Sequence, residues 1–196
     1  MNIRSSVSKL FPGTLLLALA GCGADPVTTG PTSNVFAASN GGAVTGSSRL
    51  PNAARLIDGL LDEANGTAFG DDGNVGDVVS ADVQTAGRAT ATSLHLRAAE
   101  DGDMFARRRS IGAFRLEADA DEDGTYETLV FDRTVPADYG SVPGNAAAPG
   151  TGELDLTVTF APVTSRRWRF SATQGFDSNT PFDGPRVREV ELYATQ

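Results

Sequence analysis

The chain has 196 residues, 40% hydrophobic and 21% charged, a balance that excludes a disordered polymer or a wholly membrane-embedded protein and leaves room for one substantial domain with a tail. It is acidic, with 16 Lys and Arg against 25 Asp and Glu; all the acids follow residue 22 while two of the basic residues precede it, which makes duplex DNA a poor partner. The one Cys excludes an internal disulfide, so the domain must be held together by packing.

Arg4 and Lys9 form a basic start, followed by an apolar run over residues 10–20 that is shorter than the roughly 20 residues needed to span a bilayer. This is the layout of a signal peptide. The run closes on Leu19-Ala20-Gly21-Cys22, which resembles the lipobox of bacterial lipoproteins, where small residues admit the peptidase and the Cys thiol accepts diacylglycerol. The resemblance implies a signal peptide over residues 1–21 and lipidation of Cys22; the plainer alternative is an ordinary secretory signal with an incidental Cys. Acyl chains such as palmitate bury about 0.8 kcal/mol per CH₂, so a multiply acylated Cys22 would stay in the membrane. Gly23 stands where an inner-membrane retention signal would have Asp, so the expected address is the cell envelope, on the outer membrane if the host has two.

Residues 22–33 are small, polar and broken by Pro and Gly, and they read as a tether of about 35 Å at full extension. Beyond it the only helical candidate is a short turn over residues 52–61. Alternating apolar and polar residues predict strands over 92–97, 113–118, 125–132, 153–160, 167–172 and 187–193. Many short strands without crossover helices predict an all-β, antiparallel β-sandwich over residues 34–196. Leu94 and Leu96 point inward in this pattern, which turns His95 outward as a surface residue, and Trp168 shares the core face with Phe170.

The order of segments resembles the discoidin family, the coagulation-factor C-type or galactose-binding-like domains, including the sugar-binding modules of bacterial glycosidases. The resemblance rests on Asn34-Val35-Phe36-Ala37, Val44-Thr45-Gly46-Ser47-Ser48, Ala53-Ala54-Arg55-Leu56-Ile57-Asp58-Gly59, Phe114-Arg115-Leu116-Glu117-Ala118 before Asp123-Gly124-Thr125-Tyr126, Arg166-Arg167-Trp168-Arg169-Phe170 and Glu189-Val190-Glu191-Leu192-Tyr193. Two departures stand out. Thr67-Ala68-Phe69 occupies the place of the family's Thr and Trp, and residues 136–151 form a Gly/Ala/Pro-rich insertion.

The resemblance implies a jelly-roll domain that binds rather than catalyses. It also implies a structural calcium held by Asp58, Thr67 and Glu189, a hard-cation oxygen set; the alternative is that Asp58 only shapes a turn and Glu189 is a solvated strand residue. Asp119, Asp121, Asp123 and Gly124 imitate the start of an EF-hand loop, but position twelve is Val130, and an Asp-Gly hairpin turn accounts for the same residues. Sugar recognition in the resembling modules uses loops at one end of the sandwich. Here it implies a carbohydrate-binding set of Arg97, Phe105, Arg107, Asn179 and Phe182, in which Arg forks grip hydroxyls and an aromatic ring stacks on the sugar. Packing under a loop is the alternative for Phe105 and Phe182, and a solvated patch for residues 107–109.

A single His, a single Cys and no Gly-x-Ser-x-Gly elbow give no support to a nucleophilic enzyme. The expectation is therefore a lipid-anchored envelope protein that binds glycans, with an adhesion or scaffold module that holds another protein as the competing possibility.

Overall fold

The computed structural model describes residues 32–61, 68–69, 75–99, 110–136, 138–175 and 184–195. Within them the strands are β1 Ser33–Asn34, β2 Ala43–Ser48, β3 Ala68–Phe69, β4 Val78–Ala99, β5 Ile111–Asp119, β6 Thr128–Thr134, β7 Glu153–Gln174 and β8 Arg186–Thr195. Every pairing is antiparallel. Among the described residues no helix is long and apolar enough to cross a membrane, and the helical segments are 3-10 turns at Ala38–Asn40, Ala53–Ile57 and Tyr139–Ser141. The second of these is the turn expected near residue 52.

The hydrogen-bonded order is β1-β8-β4-β7-β5-β6, with β2 on β4 and β3 on β8. This continuous sheet becomes two layers because β4 and β7 change layer together. In the first layer β4 pairs with β2 through residues 80–84 and β7 pairs with β5 through residues 167–174; in the second, β4 pairs with β8 through residues 90–98. The switch is a bulge. Gln84 pairs with Arg167 and Ala89 with Ser165, so residues 85–88 of β4 face Arg166 alone, and an excess on one strand bends the pair. Thr85 is buried there with its Oγ1 2.7 Å from the Gly87 carbonyl and 3.1 Å from that of Arg166. Ser165 Oγ donates to the Asp119 carbonyl at 2.6 Å. These hydroxyls satisfy backbone groups that the broken ladder leaves over.

Alternation explains which side chains fill the space between the layers. On β4 the buried positions are Val79, Ala81, Val83, Ala89 and Ala91, and after a second register shift beside Thr92 they become Leu94, Leu96 and Ala98. From β7 come Leu154 and Leu156 before the corner, then Trp168, Phe170 and Ala172 after it. Each fully buried large side chain contributes about 1.5–3 kcal/mol of transfer free energy.

Some details differ from the sequence reading. The strands expected at 153–160 and 167–172 are parts of one bent strand, and the strand expected at 125–132 begins at Thr128 because Asp119 to Glu127 form a hydrogen-bonded turn. The segment over residues 136–151 is more than an insertion, since Tyr139 within it is 0% exposed. Tyr139 Oη accepts the Ile111 N–H at 2.8 Å in the first layer, while Asn145 Nδ2 donates to the carbonyls of Tyr139 and Glu153, each at 2.9 Å, tying it to the second. The segment clasps the two layers at the end away from the corner.

Candidate functional site at the open end of the sandwich

At that open end the strand termini gather. Val78 pairs with Thr173 and Ile111 with Gln174 in one layer, Ala99 with Glu153 and Ala98 with Val187 in the other. The connections between β4 and β5 and between β7 and β8 therefore leave and rejoin the sandwich at this end. Phe105 and Arg107 belong to the first connection and Asn179 and Phe182 to the second; all four lie outside the described residues, as do Thr67 and Cys22.

Arg97 stands two residues before the end of β4, on the outer face of the second layer. Its guanidinium lies 3.7 Å from Asp155 Oδ2 and 4.0 Å from Glu191 Oε2, contacts long enough to leave donors for another partner. It lines a depression of about 210 Å³ with Leu61, Glu153, Asp155 and Arg188. Arg188 Nη1 is fixed on Glu153 at 2.6 Å, and Leu61 supplies an exposed apolar wall. Fixed donors and acceptors beside a small apolar surface are what a polyol requires.

His95 does face outward, yet it is not a simple surface residue. Nε2 lies 2.6 Å from Asp155 Oδ1 and Nδ1 2.6 Å from Glu191 Oε2. Asp155 and Glu191 thus hold His95 and Arg97 in one network. Tyr193 extends it; burial, followed by the Glu191 charge, raises its phenol pKa. Sequence reading missed the network because its members come from three strands, although residues 95 and 97, 155, and 191 and 193 all occupy outward positions of their alternating patterns.

Glu189 corrects the view that it is a solvated strand residue, for it is 1% exposed. Both its oxygens lie 3.3 Å from the Gly59 nitrogen, whose N–H they share. Gly59 reaches that position with φ +79°, a conformation that a side chain would strain, and Asp58 Oδ1 accepts the Leu60 N–H at 2.9 Å to complete the turn. Burial, opposed by the Gly59 hydrogen bond and helped by the neighbouring Asp58 charge, pushes the Glu189 carboxyl up to about 8. A desolvated carboxylate with one long shared hydrogen bond, next to a second carboxylate, has the chemistry of a hard-cation site. The residues present fit calcium.

A larger depression of about 420 Å³ lies on the outer face of the first layer, lined in part by Arg115, Glu117, Asp132 and Arg169. Its charges are already spent on one another. Arg169 grips Asp82 through two hydrogen bonds of 2.6 and 2.9 Å and covers the Tyr126 ring, and Arg115 pairs with Asp132 at 3.0 Å.

Two layers, antiparallel pairing and the strand order define a galactose-binding-like β-sandwich, the fold of the family 32 carbohydrate-binding modules. The chain is similar to the family 32 module of EndoD from Streptococcus pneumoniae, with a TM-score of 0.54 and 14% identity over 83% of this chain and all of that one. It is similar to the family 32 module of NanJ from C. perfringens, solved with galactose, with a TM-score of 0.50 and 19% identity over 78% of this chain and 91% of that one. XRCC1, solved bound to the catalytic domain of DNA polymerase beta, shares the fold with a TM-score of 0.54 and 12% identity over 78% and 95% of the two chains. No protein-family profile and no curated protein sequence matches the chain.

Proposed function

We propose that this chain is a lipid-anchored, non-catalytic protein of the bacterial cell envelope, on the outer membrane where the host has two, and that it binds glycans at the open end of its sandwich. The observation that carries the reading is the depression beside Arg97, at the end where both loop connections bearing the other candidate residues leave the strands. Arg97 and Arg107 would donate to sugar hydroxyls, Asn179 would donate and accept, and Phe182 or Phe105 would stack on the sugar face. Calcium held by Asp58, Thr67 and Glu189 would pin the loop beside this rim and would serve structure, with no part in chemistry. Cys22 would carry the acyl chains, with the tether lifting the domain from the headgroups.

A glycan array probed with the full chain tests the reading. Binding of a defined sugar class should fall at least about tenfold in Arg97→Ala and in Phe182→Ala, in line with losing a charge-assisted hydrogen bond or a stacked ring. Binding that is unchanged in both would remove the site. Labelled palmitate should enter the wild type and not Cys22→Ser; equal labelling would remove the anchor.

A second reading has its own support. XRCC1 shares the fold and was solved on a protein partner, so the same rim on this chain could hold an envelope protein. A blank glycan array together with one protein recovered by the wild type and lost with Arg97→Ala would favour it.

A further inference from the structure

At the corner end, opposite the rim, the β5–β6 connection gathers four carboxylates. One oxygen from each of Asp119, Asp121, Asp123 and Glu127 lies within 4.8 Å of the others. Like charges held this close repel, and the turn is built so that each carboxylate spends only part of its capacity on shape. Asp121 Oδ1 accepts the Asp123 N–H at 3.2 Å, Asp123 Oδ1 the Thr125 N–H at 2.7 Å, and Glu127 Oε1 the Ala120 N–H at 3.1 Å.

Asp119 is the decisive member. It is 0% exposed; its Oδ2 accepts from the Gly124 N–H at 3.0 Å and from Arg167 Nη1 at 3.5 Å, while its Oδ1 is buried with no hydrogen-bond partner. A buried, unpartnered carboxylate oxygen is costly unless something fills its place. Hydrogen bonding within the turn does not, because the engaged oxygen is the other one. Arg88 flanks the turn but is drawn away to Glu122 and the Ala120 carbonyl.

We propose that this turn is a calcium site, formed by Asp119, Asp121, Asp123 and Glu127 and distinct from the one at Asp58 and Glu189. The spacing places ligands at positions one, three, five and nine of a loop with Gly at position six, where Gly124 has φ +97°. Such a loop normally adds a carbonyl at position seven, here Thr125, and an acid at position twelve, here Val130 on β6. Glu127 at position nine supplies the fourth carboxylate directly, so the hairpin does not need the missing one. A cage made of carboxylates without a phosphate suits calcium better than magnesium, which keeps most of its waters and demands a tighter octahedron.

The site would also brace the corner. Asp119 pairs with Arg167 in the β5–β7 ladder, and its carbonyl holds Ser165, so an ion on its carboxylate would stiffen the point where β7 changes layer.

Calorimetric titration of calcium chloride into the full chain, freed of metal by chelator, tests this. The wild type should bind one equivalent more than the Asp121→Asn, Asp123→Asn double variant, whose Asn side chains preserve the turn's hydrogen bonds. Glu189→Gln should retain that equivalent, which separates this site from the one at the rim. Affinity on the order of 10⁻⁴–10⁻³ M is expected for an extracellular module, and Glu127→Gln should weaken it about tenfold without touching the buried Asp119. Magnesium at the same concentration should give no matching heat. Equal stoichiometry in the wild type and the double variant, whether both bind or neither does, would overturn the proposal.

Discussion

Replacing Glu189 with Gln should make the calcium-depleted protein more stable at pH 8, an unusual outcome for a buried charged residue. The Glu189 carboxyl stands at about 8 in the fold against an ordinary 4.5, because burial disfavours its charge. A carboxyl raised in this way leaves the fold most stable below its unfolded pKa, and that contribution is lost as pH climbs through the folded value. The window is therefore about pH 4.5 to 8. At 1.36 kcal/mol per unit the loss across it is roughly 3–5 kcal/mol, which is about 10 °C in Tm for a domain of this size. Melting curves in chelator should show the wild type falling relative to Glu189→Gln across that window, and at pH 8 calcium should raise the wild type by more than the variant, which keeps only the site at the acidic turn. Parallel pH profiles for the two proteins would contradict the assignment.

Tyr139→Ala should be among the most damaging changes in the chain. The side chain fills the space where the two layers meet at the open end, and removing a buried aromatic costs about 3–5 kcal/mol. It also strips the partner from the Ile111 N–H, a buried donor. Tyr139→Phe isolates the second effect, expected at about 1–3 kcal/mol. Thermal melts should order the proteins wild type, Phe, Ala. A Tyr139→Ala variant that melted with the wild type would show the segment to be the dispensable insertion that its composition suggests.

That contrast shows what the sequence made legible and what it hid. Alternation is plain where large apolar residues carry it, as at Leu94, Leu96, Leu154 and Leu156, and there the strands were read correctly. It is faint where β4 begins, because Ala81, Ala89 and Ala91 occupy buried positions and the bulge beside Thr92 moves the buried set from odd to even numbers. The corner was invisible for a related reason. No local pattern marks residues 85–88 as the point where one strand bends from one layer into the other. Tyr139 was hidden among Gly, Ala and Pro, since a single anchoring side chain has no periodicity.

The candidate site divides the same way. Arg97 was implied by the family resemblance and stands near the end of β4 beside a depression. Its partners Asp155 and Glu191, and the clamp they form on His95, depend on cross-strand register that no local pattern contains. The acidic turn was dismissed for lacking the twelfth-position acid of an EF-hand. The fold brings Glu127 to the cluster and buries Asp119, and neither fact is legible in spacing alone.

The most direct test of glycan binding at the open end is backbone-amide NMR of the isotopically labelled chain, titrated with the best sugar from the array. Shifts that saturate together and centre on Leu61, Arg97, Ala99, Ser110 and Gly175 are the predicted result. Saturable shifts centred on the corner at Thr85 and Ser165, or on the outer face around Arg115 and Arg169, would contradict the account.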